Sequence, residues 1–207
     1  MHLAIDDIVL FGHAFDPKDS MPTAELRSTV RALFDELERA GVEYTLVGGV
    51  ALLSYVAGRN TQDIDLIVET ADLDRMPWSA TRQDDVFGSA TFRGLRVDLR
   101  LTSNALFEYV RAHQSTTISF DGRQIRCASR EGLLLMKLYA LPSLYRRGSL
   151  ARAALYETDV LMLHQGASVD DEWLLAELGR YLAKHDVDEL RRILDEQRAR
   201  VRFAPPL

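Results

Sequence analysis

The chain of 207 residues contains one cysteine, Cys127. That excludes an internal disulfide framework and any zinc site built from several cysteines, and it fits a reducing compartment, so a cytoplasmic protein is expected. No stretch approaches about 18 uninterrupted apolar residues, the length of a membrane-spanning helix. The N-terminal MHLAIDDIVLF has acids inside its short apolar run and no basic region before it, so a secretory signal is not expected either. Histidine is scarce. His2, His13, His113, His164 and His185 stand singly, with no metal-spaced pair among them. Repeats of roughly 20 to 50 residues and low-complexity tracts are absent, which sets aside solenoids and arrays. What remains, 47% hydrophobic and 27% charged residues, is the composition of a globular chain with a packed core.

The net charge of −6 averages unlike segments. Residues 1–74 carry 14 acids and 5 bases, whereas residues 122–154 carry 1 acid and 7 bases. The basic block is Arg123, Arg126, Arg130, Lys137, Arg146, Arg147 and Arg152, relieved only by Glu131. Such local asymmetry attracts anions even in an acidic protein, although a solvated surface of mixed helices produces the same pattern.

Periodicity predicts an α+β layout. In TAELRSTVRALFDELERAG, Leu26, Val30, Leu33, Phe34 and Leu37 fall at helical spacing, and Gly41 supplies a stop. YTLV (44–47) reads as a short buried strand, Gly48-Gly49 breaks it, VALLSYVAG reads as a helix, and DIDLIVE (63–69) as a second strand. After a polar stretch holding Pro77, Asp84 and Asp85, residues 90–102 alternate around Gly94, as a hairpin or one bent strand. A short helix near 104–113 and a hairpin turning at Asp121-Gly122 complete a mixed sheet. From Arg130 onward the chain reads as helices: REGLLLMKLYAL, a segment from about 150 to 164, DDEWLLAELGRYLAKH, and a last amphipathic helix from about Val187. The expected organisation is an α/β core over 1–129 followed by a helical region over 130–207.

The stretch LVGGVALLSYVAGRNTQDIDLIVE, residues 46–69, carries the chemistry. Two glycines after a strand let the backbone approach a ligand closely and open a helix whose unpaired amides attract phosphate. Asp63 and Asp65 lie two apart on a strand, so both carboxylates project from one face. Paired carboxylates suit Mg²⁺, which takes few protein ligands and completes its shell with water and substrate phosphates. Asp98 in RVDLRL, opposite in direction to its neighbours Val97 and Leu99, is the candidate for a third carboxylate.

Gly48, Gly49, Arg59, Thr61, Asp63 and Asp65 resemble the GG…R-x-T-x-D-x-D pattern of the nucleotidyltransferase superfamily. More narrowly, the chain resembles the AbiEii-type toxin nucleotidyltransferases, including the MenT toxins, in which a helical half follows a minimal transferase core. That family continues with a lysine in an apolar helix and, some twenty residues on, an aspartate in the next. Lys137 in LLLMKLYAL and Asp159 in YETDVLML occupy those places. The frequent R-x-K-D-x-x-D form is not kept: Tyr156 stands where the first of its acids would be. The resemblance spans about residues 40–165. It implies a Mg²⁺-dependent transferase that moves a nucleoside monophosphate from a nucleoside triphosphate to an acceptor hydroxyl. Gly48, Gly49, Arg59, Thr61 and Lys137 would bind the nucleotide, Asp63, Asp65, Lys137 and Asp159 would be catalytic, and Asp63, Asp65 and Asp98 would hold metal. It further implies RNA, in particular the 3′ end of tRNA, as acceptor, and a separately encoded antitoxin as partner.

Each residue also has a plain structural reading. Gly48-Gly49 can be a turn, Asp63 and Asp65 strand-edge acids, Lys137 a helix lysine snorkelling over the core, and Asp159 an acid paired with Arg152 or Arg146. Cys127 reads as a small buried hydrophobe. Two other functions keep the same motif: a small-molecule transferase acting on an aminoglycoside, for which the acidic segment 1–74 is suited, and a non-catalytic, antitoxin-like module on a degenerate transferase fold.

Overall fold

The computed structural model describes residues 23–56, 63–82, 84–165 and 167–202. These divide between Leu133 and Leu134 into two compact units. Among the described residues of the first unit, seven strands, β1 (Tyr44–Val47), β2 (Ile64–Val68), β3 (Ala80–Arg82), β4 (Phe87–Phe92), β5 (Leu95–Leu101), β6 (Ser115–Phe120) and β7 (Arg123–Ala128), form one sheet in the order β3-β4-β5-β2-β1-β7-β6.

The first unit begins with helix α1 (Thr23–Arg39), whose apolar stripe Val30, Leu33, Phe34 and Leu37 is buried. Its end follows from Gly41 in a left-handed conformation at φ +65°. The Gly41 amide donates to the Glu38 carbonyl and the Val42 amide to the Leu37 carbonyl, which satisfies the last carbonyls of the helix in a Schellman motif. Strand β1 (Tyr44–Val47) then runs antiparallel to β2 (Ile64–Val68), with Val47 opposite Asp65. Between them helix α2 covers only Gly48–Leu52. VALLSYVAG does not continue as a helix: from Leu53 to Tyr55 the amides shift to carbonyls three residues back, which tightens and ends the turn.

The polar stretch after β2 is more structured than expected. It holds a 3₁₀ helix (Thr70–Arg75) and an edge strand β3 (Ala80–Arg82), and β4 starts at Phe87. The hairpin of β4 (Phe87–Phe92) and β5 (Leu95–Leu101) turns at Arg93 and Gly94, both with positive φ, and that of β6 (Ser115–Phe120) and β7 (Arg123–Ala128) turns at Asp121 and Gly122, also both positive. Both are two-residue turns of the kind that matches the strand twist. Helix α3 (Ala105–His113) is capped by the Asn104 side chain, which accepts from the amides of Leu106 and Phe107. Strand β5 runs parallel to β2 and β7 parallel to β1, which makes the sheet mixed.

The second unit holds the greater part of α4 (Arg130–Arg146), then α5 (Leu150–His164), α6 (Asp171–Leu178) and α7 (Lys184–Arg202). DDEWLLAELGRYLAKH is not one helix. After Leu178 the amides of Arg180 and Tyr181 bond to carbonyls three residues back, and a new helix starts at Lys184. No helix among the described residues is long and apolar enough to cross a membrane. A mixed sheet with flanking helices, followed by further helices, is the α+β class expected from the sequence.

Candidate active site

The junction of β1 and α2 is built around Gly48. Its φ of +68° is one that residues with a Cβ rarely adopt, and the space a Cβ needs is already taken by the side chain of Asp65. A Cβ built there would come within 2.6 Å of the Asp65 Cβ and nearer still to its carboxylate. Glycine therefore serves here for close approach: the backbone at the end of β1 lies directly against the second acid of the Asp-x-Asp pair.

Asp63, Ile64 and Asp65 alternate half-buried, buried, half-buried, so the two acids share a face as the spacing predicts. Strand β5 sets Asp98 directly beside Asp65 in the parallel register. It also contributes two cations that the sequence reading passed over. Arg100 pairs with the Asp65 carboxylate at 2.8 Å, both side chains being largely withdrawn from water. The Arg96 Nε donates to the Asp98 carboxylate at 2.9 Å. The Arg96 guanidinium is held further toward its charged form, first by the Asp98 hydrogen bond and then by the charges of Asp98, Asp63 and Asp65. The signal for these arginines was available: in RVDLR the period of two places Arg96, Asp98 and Arg100 on one face.

Carboxylate oxygens are the donor type that Mg²⁺ takes, and the register pair of Asp65 and Asp98 supplies two on adjacent strands. Among the described residues, however, no three His, Cys, Asp or Glu side chains are gathered closely enough to hold a metal by themselves. Any such ion would need water and phosphate oxygens for the rest of its shell, as Mg²⁺ commonly does. Arg59 and Thr61 lie outside the described residues.

Lys137 and Asp159 lie in the second unit and meet there. The Lys137 Nζ is 2.9 Å from the Asp159 carboxylate, with side chains 8% and 0% exposed, so the lysine does not snorkel to solvent. Arg146, one of the two partners the plain reading offered Asp159, pairs with Asp186 at 2.6 Å. The Lys137 ammonium also sits 3.9 Å from the centre of the Tyr156 ring. Tyr156, which departs from the family's acid, thus supplies the electron-rich face of a ring to the same cation.

Much of the basic block is engaged within the protein. Arg123 pairs with Asp35 and with Glu38, and Arg126 donates to the Arg111 carbonyl and the Ser115 hydroxyl. A cavity of about 710 Å³ opens beside Tyr44, Asp121 and Arg123, at the end of β1 opposite Gly48, and none of the predicted site residues lines it.

No protein-family model matches the sequence, and no curated protein matches it significantly. Solved structures do. An antigenic nucleotidyltransferase-like protein from Paracoccidioides brasiliensis aligns with a TM-score of 0.50 at 18% identity, over 82% of this chain and 93% of that one. The solution structure of the antibiotic-resistance factor ANT(2'')-Ia aligns with a TM-score of 0.53 at 13% identity, over 88% of this chain and 97% of that one. At these identities the likeness establishes the fold alone, which this chain shares with those two proteins.

Proposed function

We propose that the protein is a Mg²⁺-dependent nucleotidyltransferase, moving a nucleoside monophosphate from a nucleoside triphosphate to an acceptor hydroxyl with loss of pyrophosphate. The observation that carries this reading is the packing of the Gly48 backbone against Asp65, beside Asp98 on the neighbouring strand. A close-approach glycine next to aligned carboxylates is what a phosphate-handling site of this fold requires, and a simple turn needs no acid lying over its glycine. In this reading the backbone at Gly48 and Gly49, with Arg59 and Thr61, binds the triphosphate. Asp65 and Asp98, side by side in the sheet register, would offer carboxylate oxygens to Mg²⁺, with Asp63 the third acid of that face, and the ion would neutralise phosphate charge and activate the attacking hydroxyl. The family resemblance also gives Lys137 and Asp159, which pair with each other in the second unit, catalytic roles. Placement of charge accounts for most of the catalysis in phosphoryl-type transfer, so the set needs no covalent nucleophile.

Resemblance to the toxin nucleotidyltransferases makes the acceptor the 3′ end of tRNA and the protein the toxin of a toxin–antitoxin pair, with an antitoxin as partner. One observation favours a second reading, a small polycationic acceptor of the aminoglycoside type. Arg123, Arg126 and Arg146 are spent on internal partners, which leaves less of the basic block to track an RNA backbone.

Incubation with each α-labelled nucleoside triphosphate, Mg²⁺, total RNA and an aminoglycoside panel separates the readings. Label on tRNA supports the toxin, and label confined to an aminoglycoside supports the small-molecule enzyme. No labelled acceptor with any nucleotide overturns nucleotidyl transfer.

A further inference from the structure

We propose that Arg96 and Arg100 are built-in counter-cations of the carboxylate face, holding Asp98 and Asp65 until a divalent cation and its nucleotide replace them. The inference rests on the transferase reading above and concerns how the site is kept before substrate arrives.

Asp65 and Asp98 stand directly beside one another in the β2–β5 register, and Asp63 is two residues from Asp65 on the same face. Like charges side by side on a sheet repel. Strand β5 answers this by alternating sign along that face, as Arg96, Asp98 and Arg100. The two arginines do different work. The Arg100 side chain is 14% exposed and its partner Asp65 13%, so this pair lies largely out of water and fixes the Asp65 carboxylate where it lies over Gly48. The Arg96 side chain is 62% exposed and holds Asp98 through its Nε at 2.9 Å, so it is the more readily exchanged of the two.

A divalent cation at these carboxylates competes with both guanidiniums for the same oxygens. Its affinity for the protein alone is therefore lower than the acids by themselves would give, and the two kinds of cation oppose each other reciprocally. Guanidiniums displaced from the acids present planar arrays of N–H donors that match phosphate oxygens, so the exchange delivers positive charge to the triphosphate as the ion arrives.

The test is direct binding of Mn²⁺, followed by the electron paramagnetic resonance signal of the free ion. It compares wild type with Arg96→Gln, Arg100→Gln and Asp65→Asn, each checked for fold by circular dichroism. Arg96→Gln is expected to bind Mn²⁺ roughly three- to tenfold more tightly, the size expected for removing one competing, partly solvated charge. Arg100→Gln is expected to tighten binding as well, and Asp65→Asn to weaken it. A merely structural arginine would leave affinity unchanged or lower it when removed. Unchanged or weaker binding by Arg96→Gln, with Asp65→Asn still impaired, overturns this inference and leaves the metal reading standing. Equal Mn²⁺ uptake by wild type and Asp65→Asn overturns the metal reading itself. If Arg100→Gln does not fold, Arg96→Gln decides, because its exposed side chain carries little of the core.

Discussion

Gly48 and Gly122 share nearly the same left-handed backbone, φ +68° and +75°, but differ in what surrounds them. At Gly122 nothing lies within 4 Å of the position a Cβ would take, whereas at Gly48 the Asp65 side chain fills it. Alanine at Gly122 should thus cost only the left-handed penalty, about 1–2 kcal/mol. Alanine at Gly48 should add steric displacement of a partly buried, paired carboxylate, bringing the loss to about 3 kcal/mol or more. Urea denaturation of the two variants checks this, and equal losses would show that the Gly48–Asp65 contact carries no energy. At this scale spacing put the two acids on one face and a glycine at a strand end, but did not show how they touch. Gly48, Asp63 and Asp65 were legible from spacing, because strand alternation is local. The contact of Gly48 with Asp65, and the capture of Asp65 by Arg100, depend on strand pairing across distant sequence, which no short motif encodes.

Between elements of the second unit, α4 and α5 are joined by the Lys137–Asp159 pair and the Tyr156 ring. Removing one partner leaves the other as an uncompensated buried charge, so Asp159→Ala should destabilise the protein by about 3–5 kcal/mol. Replacing both with apolar residues of similar size, Lys137→Met with Asp159→Leu, should cost less than the single change, which thermal and chemical denaturation of the set will show. A double variant as unstable as Asp159→Ala would mean that the pair is not the unit. Most elements could be read from the sequence. The hairpin at Asp121-Gly122 announced itself by turn chemistry and α1 by its stripe and its glycine stop, whereas the turn at Arg93-Gly94 was legible only as a hairpin or a bend. The misreadings have a common cause. Apolar periodicity continues through Leu53 and past Leu178, while the amides of Ser54 and Tyr55 and of Arg180 and Tyr181 bond three residues back, a tightening that composition does not signal.

Across the whole molecule, burial governs the alkaline limit. Burial pushes the Cys127 thiol up to about 12 from its usual 9.0, and it also raises the hydroxyls of Tyr44 and Tyr55, in each case as the largest cause. Raised folded-state values mean that the native chain keeps protons which the unfolded chain gives up. These groups therefore contribute their full stability below about pH 9, and that contribution falls as pH rises from there toward 12. Stability measured from pH 8 to 11 should decline across the upper part of that range. The same burial predicts that Cys127 resists a thiol reagent at pH 8 until the protein unfolds. The net charge of −6 now has a local structure: part of it is a carboxylate face partly neutralised by Arg96 and Arg100, and part of the basic block is matched by internal acids. The central claim, that the Gly48–Asp65 junction performs nucleotidyl transfer, is tested most directly by release of pyrophosphate from a nucleoside triphosphate in the presence of Mg²⁺, total RNA and an aminoglycoside panel. Wild type should release it, and folded Asp65→Asn should lose at least about a hundredfold in rate, as expected when a charge-placing group is removed. Equal rates for the two proteins would contradict the account.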